Sequence, residues 1–354
     1  MNLKNTKILM ENLRKNNDLD SYAVMVYKNG EKQLISSENV NEETYFDVAS
    51  MGKVLVTSTL ILKAIDMGLL SIEDTLSAFF EDVPWDKSNI TIKQMLTHTS
   101  GIIRVPIPDR IVDCGRDAVV WHILQPELAF KLGTSYIYSC NAYILLGFIL
   151  EKIFDCSLDK IYEKYLTKPL MLERSRFNIS KDEANAAICY RWKHMGKYRV
   201  DDENVYTLKG VAGNGASQSS VGDISKFIDA VLKKDSILYS KELFELAEQN
   251  LTPAFSEGRG LGYLVVDKSY KQTGKLFPIG SFGHCGHCGH SFFINREEDM
   301  YVIILTNATR FLNMKSGFNG YDYNIICKMR EDIHNAIYDD MFSLSLSRLN
   351  CIKL

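Results

Sequence analysis

The 354-residue chain contains no long hydrophobic run. Residues 1–20 carry Lys4, Lys7, Arg14 and Lys15 but no apolar stretch of about seven residues, so they lack the core of a secretory leader. No later stretch reaches the ~18 continuous apolar residues of a membrane span. With a natural-looking start at Met1, the expectation is a cytoplasmic protein with no membrane partner. A dominant charge is also missing. The net charge is −3, and the basic residues are scattered in ones and twos, which gives no electrostatic reason to seek nucleic acid or an anionic membrane. Nor is cysteine dense: Cys114, Cys140, Cys156, Cys189, Cys285, Cys288, Cys327 and Cys351 are spread along a large chain, as free thiols rather than a disulfide framework. No internal repeat, low-complexity tract or long linker divides the sequence.

Its 46% hydrophobic content is ample for a buried core. Residues 5–15 read as a helix. Residues 22–27 and 33–36, joined through Asn29-Gly30, read as a hairpin with a primed turn. Apolar residues recur at Val56, Leu60, Ile61, Ala64 and Ile65, a helical stripe ending at Gly68. Helical patterns continue at 143–154, 158–165 and 224–232. Strand patterns return at 261–266, 282–295 and 300–306, and residues 322–338 read as a closing helix. Strands at both ends around a helical middle predict an α+β chain whose termini build one sheet. The tail at 341–354 fits either a frayed end or a packed extension.

The most informative stretch is Ser50-Met51-Gly52-Lys53, at the head of the apolar helix. Residues three apart on a helix share a face, so the Ser50 hydroxyl and the Lys53 amine can meet. A desolvated lysine can be held partly neutral and take the serine proton, which turns a weak alcohol into a nucleophile. Two further segments accompany it: Tyr138-Ser139-Cys140-Asn141 ahead of an apolar helix, and Phe282-Gly283-His284-Cys285-Gly286-His287.

In this order the three segments resemble those of the serine β-lactamase and penicillin-binding-protein superfamily. They look most like the class C β-lactamase branch, with its D,D-peptidases, D-aminopeptidases and family VIII esterases. Residues 68–74, residues 92–102 with Thr97-His98-Thr99-Ser100-Gly101, residues 168–171 and residues 213–219 with Asp223 resemble further landmarks, so the resemblance covers about residues 20–335. It implies an antiparallel sheet flanked by helices, with an α/β lobe of about 1–49 and 245–340, an inserted helical lobe of about 50–244, and the site in the cleft between them.

By the same resemblance Ser50 is the nucleophile, and Lys53 takes its proton or steadies an anionic Tyr138. Tyr138 is the partner base and later the acid. Tyr136 reads as a core aromatic. An unperturbed phenol is a poor base at neutral pH, so Lys53 and Tyr138 should titrate as one unit. The second motif departs from the family's Y-x-N: Cys140 stands in the third position, and Asn141 substitutes only if the turn is rotated by one residue. In the third motif His284 stands where many β-lactamases carry lysine, a weaker anchor for a carboxylate. Gly286 lets substrate lie close to the strand, and the His287 backbone N–H pairs with that of Ser50 as an oxyanion hole. Cys285 completes this substrate-binding group.

The competing reading is a metal site at His284, Cys285, His287, Cys288 and His290, with His98, His194 or Cys140 near in space. A strand sends alternate side chains to opposite faces, so one segment does not readily supply a tetrahedron, and no metal or organic cofactor is expected. The resemblance thus implies hydrolysis of a small ester or amide through acyl-Ser50, as in an esterase or D-amino-acid peptidase. The alternatives are a D,D-peptidase or β-lactamase, a transacylase, and a catalytically weak binder or sensor. Pocket walls are expected from residues 104–116 and 190–206, and oligomeric state is not legible.

Overall fold

A computed structural model describes residues 1–179, 200, 202–215, 217–267, 271–317 and 320–343. Cys189, His194, Cys351, the tail beyond 343 and much of the 190–206 stretch lie outside the described residues.

Eight strands occur among the described residues: β1 (Tyr22–Lys28), β2 (Glu31–Ser36), β3 (Phe46–Asp47), β4 (Gln218–Ser219), β5 (Leu264–Val265), β6 (Phe282–Cys285), β7 (Ser291–Asn295) and β8 (Met300–Thr306). Six form one antiparallel sheet in the order β2-β1-β8-β7-β6-β5. The first strand thus pairs with the last, Val24 opposite Ile304, and the two ends of the chain share a sheet as the α+β pattern implied. The β1–β2 hairpin turns on Asn29 and Gly30, both at positive φ (49° and 86°), as a primed turn requires.

Both sheet faces are covered, and alternation along each strand shows how. Ala23, Met25, Phe292, Ile294, Tyr301, Ile303 and Leu305 join a large core with the helices of the middle region. Val24, Val26, Phe293, Val302 and Ile304 face a second core with Met10, Ile326 and Ile333 from the helices Lys4–Lys15 and Tyr323–Tyr338. A strand buried on two sides reads as a plain apolar run, which is why β8 shows no polar alternation in sequence.

Three expectations change. The strand pattern at 282–295 is two strands, broken over residues 286–290, where Gly289 adopts φ +90°. The Ser50 helix is not regular: a 3₁₀ turn at Ala49–Met51 leads into a π-helical stretch at Lys53–Ser58 before α-helix begins at Thr59–Asp66. Of the pattern at 261–266, only Leu264–Val265 is strand.

Candidate active site

Ser50 lines a cavity of ≈ 780 Å³, on a backbone held from several sides. Ala49 adopts φ +48°, rare for a residue with a Cβ. Its N–H is taken by the Asp47 side chain at 2.9 Å, and Val48 N–H donates to Ser217 O at 3.0 Å. Gly215 presses against this turn. A Cβ on Gly215 would lie 2.3 Å from Ala49 O, and one on Gly52 would lie 2.9 Å from Gly215 Cα. Only glycine permits so close an approach.

Lys53 is fully buried. Its Nζ donates to Ser50 Oγ at 3.1 Å and to Asn214 O at 2.6 Å. The irregular helix therefore still brings the hydroxyl and the amine together, and Asn214 supplies a second, neutral acceptor. The same Nζ lies 5.0 Å from the centre of the Tyr138 ring. Tyr138 comes from the residue before the N-cap of the helix Cys140–Phe154, where Ser139 Oγ accepts Ala142 N–H at 3.1 Å. His98 packs on it with ring centres 4.4 Å apart, and accepts Ser139 N–H on Nδ1 at 3.1 Å, so it sets both the ring and the cap. Burial drives the Tyr138 phenol well above its ordinary pKa, helped by the neighbouring Cys140, while a hydrogen bond with Ser50 and the Arg259 charge work the other way.

Cys140 lines the cavity, but Asn141 does not. The Asn141 amide donates to Val105 O at 3.2 Å. His284 and Cys285 also line the cavity. His284 is buried, with Nδ1–H donating to Cys285 O at 2.8 Å, and burial, then Arg259 and Lys53, hold its pKa well below the usual histidine value. It is a neutral ring, not a cation, and its Nε2 has no partner among the described residues. Gly286 packs under Val48, where an added Cβ would lie 3.0 Å from Val48 O. The fully buried Arg330 holds this loop, donating to His290 O at 3.1 Å and to Gly286 O. His287 is exposed at the cavity rim, with Tyr321 OH 3.0 Å from its Nε2 and its ring stacked on Tyr323. His290 turns away to Asp47 O (2.7 Å) and Thr306 N–H (3.0 Å), a structural role. Among the described residues no group of three His, Cys, Asp or Glu side chains is placed to hold a metal, and Cys114, Cys140, Cys156, Cys285, Cys288 and Cys327 are free.

Sequence reasoning missed a second charged group. Arg259, 4% exposed, lines the cavity with Glu257 and Tyr136. Its Nε donates to Glu257 at 3.0 Å and its Nη2 to Tyr136 OH at 2.8 Å, while Tyr136 OH donates to Glu257. Tyr136 is thus a polar member of the wall rather than a core aromatic. Burial opposes the Arg259 charge, but Glu257 and the two phenols more than offset it and raise its pKa.

The chain is 26% identical over 238 residues to an N-acetylmuramyl-L-alanine amidase of Bacillus subtilis (strain 168), covering 58% of this chain and 54% of that protein. It spans about half the length of that relative. A protein of Escherichia coli (strain K12) named as a D-alanyl-D-alanine carboxypeptidase is 26% identical over 305 residues, 75% of this chain and 69% of that one. In fold the chain is similar to EstCE1, a hydrolase with promiscuous acyltransferase activity, at TM-score 0.73 and 16% identity over 94% of this chain and 98% of that one. The family model described as Beta-lactamase matches residues 8–316. That match runs through the sheet and through Ser50, Tyr138 and His284 alike, and the chain belongs to the Beta-lactamase family.

Proposed function

We propose that the chain is a serine hydrolase that opens a small ester or amide through an acyl-Ser50 intermediate. The observation that carries this reading is the 3.1 Å contact between buried Lys53 Nζ and Ser50 Oγ at the edge of a substrate-sized cavity. In this reading the cleft lies between an α/β lobe of about 1–49 and 245–340 and a helical lobe of about 50–244.

Lys53 and Tyr138 act as one proton-holding pair, reactive when it carries one proton fewer than its fully protonated form. Ser50 Oγ bonds to the substrate carbonyl carbon and its proton passes to the pair. The bond from carbon to the leaving oxygen or nitrogen breaks, and Tyr138 delivers the proton to that atom. Water then attacks the acyl carbon, its proton returns through the pair to Ser50 Oγ, and the acid leaves. By resemblance the backbone N–H groups of Ser50 and His287 receive the carbonyl oxygen.

Two features favour an ester or D-amino-acid peptide over a β-lactam. Cys140, a weak donor, stands in the wall where the family's asparagine amide would be, and His284 is neutral where a lysine would hold a carboxylate. The Escherichia coli relative's name supports peptide cleavage, and EstCE1's title supports ester cleavage with transfer to an alcohol or amine as a side activity. The competing reading, a slow penicillin-binding or sensor protein, rests on the same Cys140.

The test is intact-mass detection of an adduct after exposure to fluorophosphonates, activated esters and β-lactams, run beside steady hydrolysis of a chromogenic short-chain ester. Turnover and labelling should both vanish in Ser50→Ala. Hydrolysis that survives this substitution sinks the proposal, and lasting acylation without release favours the sensor.

A further inference from the structure

We infer that Arg259 is a positioning residue whose charge sets the pH at which the Lys53–Tyr138 pair gives up the proton that makes Ser50 reactive. The inference rests on the acyl-Ser50 reading and adds to it a residue that touches no reacting atom.

The guanidinium is fixed in place. Gly258 and Gly260 flank it, and a Cβ on either would lie 2.5 Å from Val265 O or 1.9 Å from Ala247 O, so the backbone is wedged against its neighbours on both sides. Arg259 N–H donates to Thr252 Oγ1 at 2.8 Å, and Arg259 O accepts Leu251 N–H at 2.7 Å. Glu257 and Tyr136 hold Nε and Nη2, and the guanidinium centre comes to rest 5.6 Å from the Tyr138 ring centre. Its Nη1 is buried without a partner among the described residues, so the charge is not fully spent on the ion pair.

Tyr138 therefore lies near two basic side chains, the Lys53 amine at 5.0 Å and the Arg259 guanidinium at 5.6 Å from the ring. The other titratable groups around it are His98 and His284, both kept neutral chiefly by burial, the Cys140 thiol, the Tyr136, Tyr143 and Tyr323 phenols, and Glu257 behind Arg259. Burial makes an anionic Tyr138 costly. A fixed positive charge at this range offsets that cost, and the carboxylate behind it takes part of the help back. The sign of each charge fixes the sign of each test. A unit charge about 6 Å away at an effective dielectric of about 20 changes a proton-binding constant by roughly a hundredfold, and a partly opposing carboxylate leaves about tenfold.

The experiment is the pH dependence of kcat/KM for a chromogenic ester, with fluorophosphonate labelling of Ser50 measured by intact mass on the same preparations. Arg259→Met should move the ascending limb up by about one pH unit and slow the reaction about tenfold below it, with a plateau close to wild type. Arg259→Lys should recover most of the shift. Glu257→Gln should move the limb the opposite way, which a merely structural role would not do, and it keeps the test alive if Arg259→Met fails to fold. An unmoved limb, or a shift of the same sign in Arg259→Met and Glu257→Gln, overturns the inference while Ser50 labelling stands. Wild-type protein that is not labelled at Ser50 overturns the acyl-enzyme reading first, and this inference with it.

Discussion

Replacing Lys53 with methionine separates catalysis from stability more cleanly than any other single change. Methionine matches the length of the buried stem and fills its space, but it cannot accept a proton or donate to Ser50. Removing a positioned acid–base group costs typically ~10²–10⁴ in rate, or roughly 3–5 kcal/mol of transition-state stabilisation. The fold loses less. Asn214 O gives up its 2.6 Å donor, and a carbonyl left unpaired in the interior costs about 1–3 kcal/mol. Against this, no buried amine need then be desolvated, and replacing a buried charge with an apolar side chain of similar size is often close to neutral. The net change should be within about 2 kcal/mol, a few degrees in Tm. Burst kinetics with a chromogenic ester read the first quantity, and thermal melting by circular dichroism reads the second. Acylation within tenfold of wild type would refute the assignment of Lys53. Unfolding of the variant would show instead that the amine is there for the fold.

Three further outcomes are expected. Gly215→Ala puts a Cβ 2.3 Å from Ala49 O at φ +129°, so the Ser50 turn must shift, and both a loss of roughly 2–4 kcal/mol in denaturant melts and slower Ser50 labelling should follow. Unchanged stability would mean that the turn has slack. Burial pushes His290 and His334 down to about 3 from an ordinary 6.5, so between those values the unfolded chain binds protons that the folded one does not. Stability then falls as pH drops below about 6.5, by roughly 2 kcal/mol per histidine between pH 7 and 5, and His334→Phe should remove one share of that slope. An equal slope in the variant would refute it. Cys140→Asn should speed acylation by amides and β-lactams if the thiol is what limits them, and an unchanged ratio of amide to ester rates would argue against that.

What the sequence disclosed, and what it withheld, follows from the range of the interactions. Ser50 and Lys53 were legible because three-residue spacing keeps them together in a 3₁₀ and π-helical start almost as well as in a regular α-helix. Tyr138 was legible through its resemblance to the family's second motif just ahead of an apolar helix, whereas the Ser139 cap that fixes it there went unread. The fold was legible where apolar period and turn residues agreed, at Asn29-Gly30 and along β8, and misread at residues 286–290, where the glycines should have broken the strand. The displaced asparagine needed a fact beyond the motif: Asn141 bonds Val105 O, so the turn is not rotated to bring it into the cavity. Arg259 left no local mark. It stands 123 residues from the Tyr136 it holds, and nothing in Gly258-Arg259-Gly260 says that a charge will be buried there. Ser50 and Lys53 are thus brought together by a short spacing, while the charged surroundings of Tyr138 are assembled only when segments more than a hundred residues apart meet. A motif match can name the base of such a site without fixing the pH at which it works.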